Sequence, residues 1–153
     1  MAFLYCIIYL AAIGVLGFIA GRLLPYSLLD ENRFPFRPFS FENEGRIYEK
    51  AGIKKWQSRI PDMSRILPRF MPAKKLEKNF AGKLPVMIKE TCVAELIHLL
   101  LAAAAPLCLI IWRGTGGKLV TALYELGNLS FILVQRYNRP RLMRLQRKLS
   151  AKA

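Results

Sequence analysis

Histidine is nearly absent: His98 is the single one in 153 residues. That leaves one imidazole for any metal or base chemistry. Cysteine is scarce too. Cys6, Cys92 and Cys108 are an odd number, lie in or beside apolar runs and lack metal-type spacing, so they read as reduced, buried small residues, with no disulfide framework and no metal site. The chain carries no Gly-x-Ser-x-Gly elbow, no Asp five places after its histidine and no glycine-rich nucleotide fingerprint. Acids are few, 10 Asp and Glu against 24 Lys and Arg, giving a net charge of +14. Yet 54% of the residues are hydrophobic. A soluble domain of this size rarely combines the two, whereas a membrane protein does so by separating them along the chain.

Residues 1–20 carry no charge. As a helix they are about 30 Å long, enough to cross a bilayer core. No basic n-region precedes them, and Gly-Arg-Leu-Leu-Pro follows where a signal peptide would have its cleavage site, so an uncleaved anchor is expected. Residues 93–112 form a second span, apolar apart from Glu95 and His98. Residues 113–118 are a glycine-rich outer turn, and 119–135 a shorter third span with Glu125 and Asn128. The fold expected is all-α, with three transmembrane helices. The segment 21–92 holds 15 Lys and Arg and the tail 136–153 holds 7, against 2 in the turn. Three spans put segment and tail on one side, so the positive-inside rule sets the N-terminus outside and the C-terminus in the cytosol. Nucleic-acid binding is not expected, since the basic residues flank membrane spans.

The cytosolic segment opens with residues 26–41, where Pro35, Pro38 and four Phe exclude one regular helix. An irregular strap on the membrane surface is one reading, an aromatic wall for a lipid chain the other. Ser40 is placed to cap a helix to about Ala51, with Glu42 and Glu44 in its favourable first turn and Gly52 stopping it. Ile53, Trp56 and Ile60 then recur at helical spacing with Lys54, Lys55 and Arg59 on the other faces. This suits a helix lying in the interface, Trp down and basic groups toward lipid phosphates. Pro61 ends it, and 74–83 is a second basic stretch.

Ionisable groups inside a membrane are expensive, so each needs a partner or a purpose. Thr91, Glu95 and His98 share one helix face. A carboxylate one turn before an imidazole can orient it and make it a better proton acceptor; it can equally tie helices together. Thr121, Glu125, Asn128 and Gln135 give the third span a matching face. At 1.5 Å per residue His98 lies about 8 Å into its span and Asn128 about 10 Å above Gln135, nearly equal depths in an antiparallel hairpin. Below them Arg136, Asn138, Arg139 and Arg141 are either a snorkelling anchor or a forked-donor shelf for an anionic headgroup or diphosphate. Pro140 is expected to open a new surface helix from Arg141, with Leu142, Leu145 and Leu149 as its stripe.

Four blocks resemble one family of bacterial membrane proteins, the glycosyl-4,4'-diaponeurosporenoate acyltransferases. They are Ile53-Lys-Lys-Trp-Gln-Ser-Arg-Ile-Pro-Asp62, Glu90-Thr91 with Ala94, Glu95 and His98, then Asn128, then Gln135-Arg-Tyr-Asn-Arg-Pro-Arg-Leu142. The chain departs from that family's pattern after Asn128, where Leu129 stands in place of Pro. The resemblance implies transfer of a fatty acyl group to a sugar hydroxyl of a glycosylated carotenoid acid, at the cytosolic face of a bacterial cell membrane. On that reading His98 is a general base oriented by Glu95, and Asn128 meets the thioester carbonyl or its oxyanion. Arg136, Asn138, Arg139 and Arg141, with Trp56 and Arg59, hold the donor and membrane lipid. No bound cofactor or metal is implied, only an acyl-CoA or acyl-carrier donor, and a homo-oligomer or membrane-complex partner would complete a small interior. Two other classes fit the residues: another isoprenoid-modifying enzyme, by methyl transfer or reduction, and a non-catalytic lipid-binding subunit.

Overall fold

Twenty uncharged residues have no reason to leave a helix in an apolar medium, because only a helix satisfies their backbone internally. Accordingly α1 spans Ala2–Leu23. The computed structural model describes residues 1–60 and 81–151. After α1 come two short helices, α2 (Arg46–Lys50) and α3 (Ile53–Trp56), then α4 (Leu84–Ala104), α5 (Cys108–Ile111) and α6 (Thr115–Ser150), with 3-10 turns between. Among the described residues there is no strand. Three helical runs are long and apolar enough to cross a membrane, Ala2–Leu23, Ala81–Ile111 and Thr115–Ser150. Pro61 and residues 74–80 of the second basic stretch lie outside the described residues.

The chain divides into two compact units. The first comprises Met1–Leu28 and Val93–Ile132. Gly17 and Gly21 let α1 approach α4 closely: a Cβ at Gly17 would stand 3.1 Å from Ile97, and one at Gly21 would stand 3.2 Å from both Ile97 and Val93. Nearer the chain start, the Tyr9 hydroxyl donates to the Ala104 carbonyl at 2.9 Å. These pairs fall in opposite chain order, so α1 and α4 are antiparallel. Cys6, Leu10, Ala105 and Cys108 are buried together, with Tyr9, Ile13, Trp112, Val120 and Tyr124 around them. Pro106 has no N–H to continue α4, and the chain tightens into a 3-10 turn at Ala105–Leu107 before α5. The turn itself is shorter than 113–118. Gly114 takes φ +116° and α6 starts at Thr115, with Gly116 and Gly117 packed against Trp112.

The second unit comprises Leu29–Cys92 and Leu133–Ala153. Here a single helix from Ser40 to Ala51 does not form. Residues Ser40–Gly45 make a 3-10 helix, and Gly45 at φ +91° starts α2. A Cβ at Gly45 would sit 3.3 Å from the Tyr137 carbonyl, so glycine permits both the turn and the close approach. Gly52, at φ +72°, separates α2 from α3, and Gln57–Arg59 continues as a 3-10 turn. The helical spacing of Ile53, Trp56 and Ile60 is thus only partly regular helix. Ile53 is fully buried, Trp56 half-buried.

Pro140 does not open a new helix. It sits inside α6, which runs unbroken to Ser150. At about 54 Å, α6 is far longer than a bilayer core is thick. Its tail buries Tyr137 and Arg139, each 1% exposed, and that packing holds the helix through a residue that removes one of its hydrogen bonds. Similarly α4 begins at Leu84 rather than near residue 93. Leu84 and Ile88 are buried, and Lys89 is tied to the Leu29 carbonyl at 2.5 Å and to Glu31.

Candidate functional site

Two polar clusters stand out, one in each unit. In the first, α4 carries Glu95 and His98 and α6 carries Asn128. Glu95 and Asn128 are 1% and 5% exposed, and His98 is half-buried. His98 Nδ1 lies 2.8 Å from Asn128 Oδ1. The Asn128 Nδ2 donates to the Tyr124 carbonyl at 3.0 Å. The His98 ring stacks on Phe131, centroids 4.4 Å apart and planes within 1°.

These contacts settle which nitrogen does what. A backbone carbonyl only accepts, so the amide edge at Tyr124 must be the NH2 group, and Oδ1 faces the imidazole. An amide oxygen only accepts in turn, so His98 Nδ1 carries a hydrogen. In the neutral ring the lone pair then belongs to Nε2. The ring is fixed in plane by Phe131 and in rotation by Asn128. The group seen holding Nδ1 is therefore the amide across the helix pair. Asn128 spends one amide hydrogen on the Tyr124 carbonyl. Thr121, on the same face of α6, is 7% exposed and its hydroxyl has no hydrogen-bond partner in the structure.

In the second unit the arginines of the expected shelf are turned inward. Arg136 Nε donates to Glu42 Oε1 at 2.5 Å, Nη1 to the Pro35 carbonyl at 2.9 Å and Nη2 to the Arg37 carbonyl at 3.2 Å. Arg139 Nε donates to Thr91 Oγ1 at 2.9 Å, Nη1 to the Phe36 carbonyl at 2.6 Å and Nη2 to the Thr91 carbonyl at 3.0 Å. Their guanidinium groups also lie over the rings of Phe39 and Phe36. Both arginines are nearly buried. The Pro/Phe segment is consequently a strap, pinned to α6 through its own carbonyls. Arg141, by contrast, is exposed and stacked over Tyr137; Arg59 is exposed; Asn138 is half-buried.

Glu42 is the hub that sequence reasoning treats only as a helix first-turn charge. It is 1% exposed and accepts from Arg136, from the Tyr48 hydroxyl at 2.5 Å and from the Phe39 N–H at 2.9 Å. Burial, and then the hydrogen bond and charge of Glu42, push the Tyr48 hydroxyl well above its ordinary range. Glu49 is exposed; its carboxylate accepts from Lys54 and from the Tyr137 hydroxyl, and the Lys54 bond lowers its pKa. The signal available in the sequence was scarcity: an acid in a strongly basic segment has many cations competing for it. Nothing local said that Arg136, 94 residues away, would prevail.

Spanning-length helices that enclose a paired imidazole and amide define a helical membrane protein with a buried polar site. The family model for glycosyl-4,4'-diaponeurosporenoate acyltransferases matches residues 32–148. The chain belongs to that family. Proteins of that name from Staphylococcus aureus are similar along most of their length. The one from strain Newman is 30% identical over 134 residues, 86% of this chain and 80% of its own. That from strain MRSA252 is 30% identical over 129 residues, 83% and 77% respectively. No solved structure matches.

Proposed function

We propose that the protein is a membrane acyltransferase that moves a fatty acyl group from a thioester donor to a sugar hydroxyl of a glycosylated carotenoid acid. Its relatives are named for acyl transfer and for glycosyl-4,4'-diaponeurosporenoate, and the thioester and the sugar hydroxyl are this reading's own. The observation that carries the reading on this chain is the 2.8 Å contact between His98 and Asn128, which orients the ring and places the neutral imidazole's lone pair on Nε2.

In the reaction, Nε2 of His98 takes the proton of the acceptor hydroxyl as its oxygen bonds to the thioester carbonyl carbon. The tetrahedral oxyanion accepts a hydrogen bond from the Asn128 amide group. Collapse breaks the carbon–sulfur bond, and the thiolate leaves with the proton from His98. Glu95, one turn earlier on α4, favours the imidazolium formed between the two steps. No bound cofactor or metal takes part. Phosphates of an acyl-CoA or acyl carrier would meet the exposed basic groups, with Arg141 and Arg59 the leading ones and Asn138 beside them; Trp56 would lie against membrane lipid. Arg136 and Arg139 act one step back by holding the strap. The N-terminus is outside a bacterial cell membrane and the basic segment and tail are cytosolic, so the reaction uses the cytosolic leaflet. Nucleic acid has no part, and a second copy would enlarge the small interior.

The test is turnover by the purified protein with palmitoyl-CoA and glycosyl-4,4'-diaponeurosporenoate, the ester being read by mass spectrometry. His98→Ala should lose it while the helical spectrum is retained. Full turnover in that variant would remove His98 from the mechanism.

A further inference from the structure

Between α1 and α4 runs a groove of about 250 Å³. Ile13, Gly17 and Ala20 line it from α1, and Ile97, Leu101 and Ala104 from α4. Every lining residue is apolar. Its width comes from small residues, with no side chain at Gly17 and one methyl each at Ala20 and Ala104. Its direction comes from register. Ile97 immediately precedes His98, and Ala104 lies six residues beyond, about 9 Å along the helix. The groove therefore starts at the level of the imidazole and leads toward the Trp112 end of the helix pair.

We propose that this groove holds the acyl chain of the donor, its carbonyl beside His98 and its methyl end toward Ala104. The assignment rests on the acyl-transfer reading above and adds the place and polarity of one substrate. An aliphatic chain needs no hydrogen-bond partner, and this groove provides none. A sugar lying there would leave its hydroxyls unpaired, which is unfavourable. A thioester donor has its phosphates in water and its carbonyl at the head of the chain, so a carbonyl at the depth of His98 sends the remaining carbons deeper. The groove runs that way.

The test uses the full chain in nanodiscs and palmitoyl-CoA with a diazirine at its chain end. Photolabel should fall on Ile13, Leu101 and Ala104, and unlabelled palmitoyl-CoA should compete it away. Ala104→Leu should cut that labelling severalfold and shorten the preferred donor by about three carbons, those that Leu adds to Ala. Ala20→Leu, at the head of the groove, should slow donors of every length alike. His98→Ala should keep the label while losing turnover. Label that is not competed, and is equally strong on the outward Leu119 and Leu123 of α6, would mean bilayer lipid only and overturn the proposal. So would an unchanged length preference in Ala104→Leu. Competed, Ala104-sensitive labelling without turnover by the unaltered protein would uphold the chain site and remove the transfer reading.

Discussion

Asn128 reaches His98 with its oxygen and Tyr124 with its nitrogen, and that asymmetry gives each substitution a different outcome. Asn128→Leu keeps the volume but frees the ring, so kcat should fall by about 10²-fold or more, with less change in KM. A drop in KM affinity alone would make Asn128 a substrate contact. This pairing was legible in the sequence, because depth in a helical hairpin is counted at a fixed rise per residue. The stacking of Phe131 was not, since that ring lies three residues on among many apolar ones. Glu42 shows the opposite limit. Its three partners come from a strap, a short helix and a distant tail, which no local pattern joins. Glu42→Ala takes the carboxylate away from the buried Arg136 guanidinium, which should cost about 3–5 kcal/mol in detergent unfolding. Adding Arg136→Met should recover part of it. Tyr48 gives a pH signature. Its native hydroxyl holds its proton above the ordinary value of 10.0, whereas the unfolded chain releases it there. Its stabilising share is therefore full below about pH 10 and declines as pH rises further, and Tyr48→Phe should flatten that alkaline fall in the melting temperature.

Helices that begin and end on packing explain why element existence was easier to read than element limits. Twenty apolar residues announce a span by length and composition. The first turns of α4 carry Pro85 and the charges of Lys89 and Glu90, and the last third of α6 is largely polar; both gain their order from burial instead: Lys89 on Leu29 and Glu31, Arg139 on Thr91 and Phe36. Pro140 looks like a boundary only while those contacts are unseen. Two glycines of α6 make this measurable with opposite signs. A Cβ at Gly117 would lie 1.9 Å from the Trp112 carbonyl, a backbone atom that cannot step aside, so Gly117→Ala should lower the melting temperature sharply. A Cβ at Gly127 meets nothing within 4 Å, so Gly127→Ala should raise stability by about 0.5–1 kcal/mol through helix propensity alone. Equal effects at the two positions would show that the turn at Trp112 does not govern where α6 begins.

The molecule as a whole is organised by where its charge lies. Only 2 of 24 Lys and Arg sit in the turn between the second and third spans, while the segment 21–92 and the tail 136–153 hold all the rest. The positive-inside rule predicts from this that the turn faces outward and the tail inward. The three cysteines permit a direct reading, because Cys6, Cys92 and Cys108 are all 0% exposed and should ignore an aqueous maleimide. Lys118 and Ser150 are both exposed, near the turn and at the end of α6. In intact cells a membrane-impermeant maleimide should label Lys118→Cys and spare Ser150→Cys; in inside-out vesicles the preference should reverse. The opposite pattern would put the basic tail outside. It would also place Arg141 and Arg59 away from any cytosolic thioester, and the donor would then have to be a lipid of the outer leaflet. Topology thus decides donor class: the same His98 and Asn128 can serve a soluble acyl-CoA only if the basic side of the molecule faces the compartment that makes it.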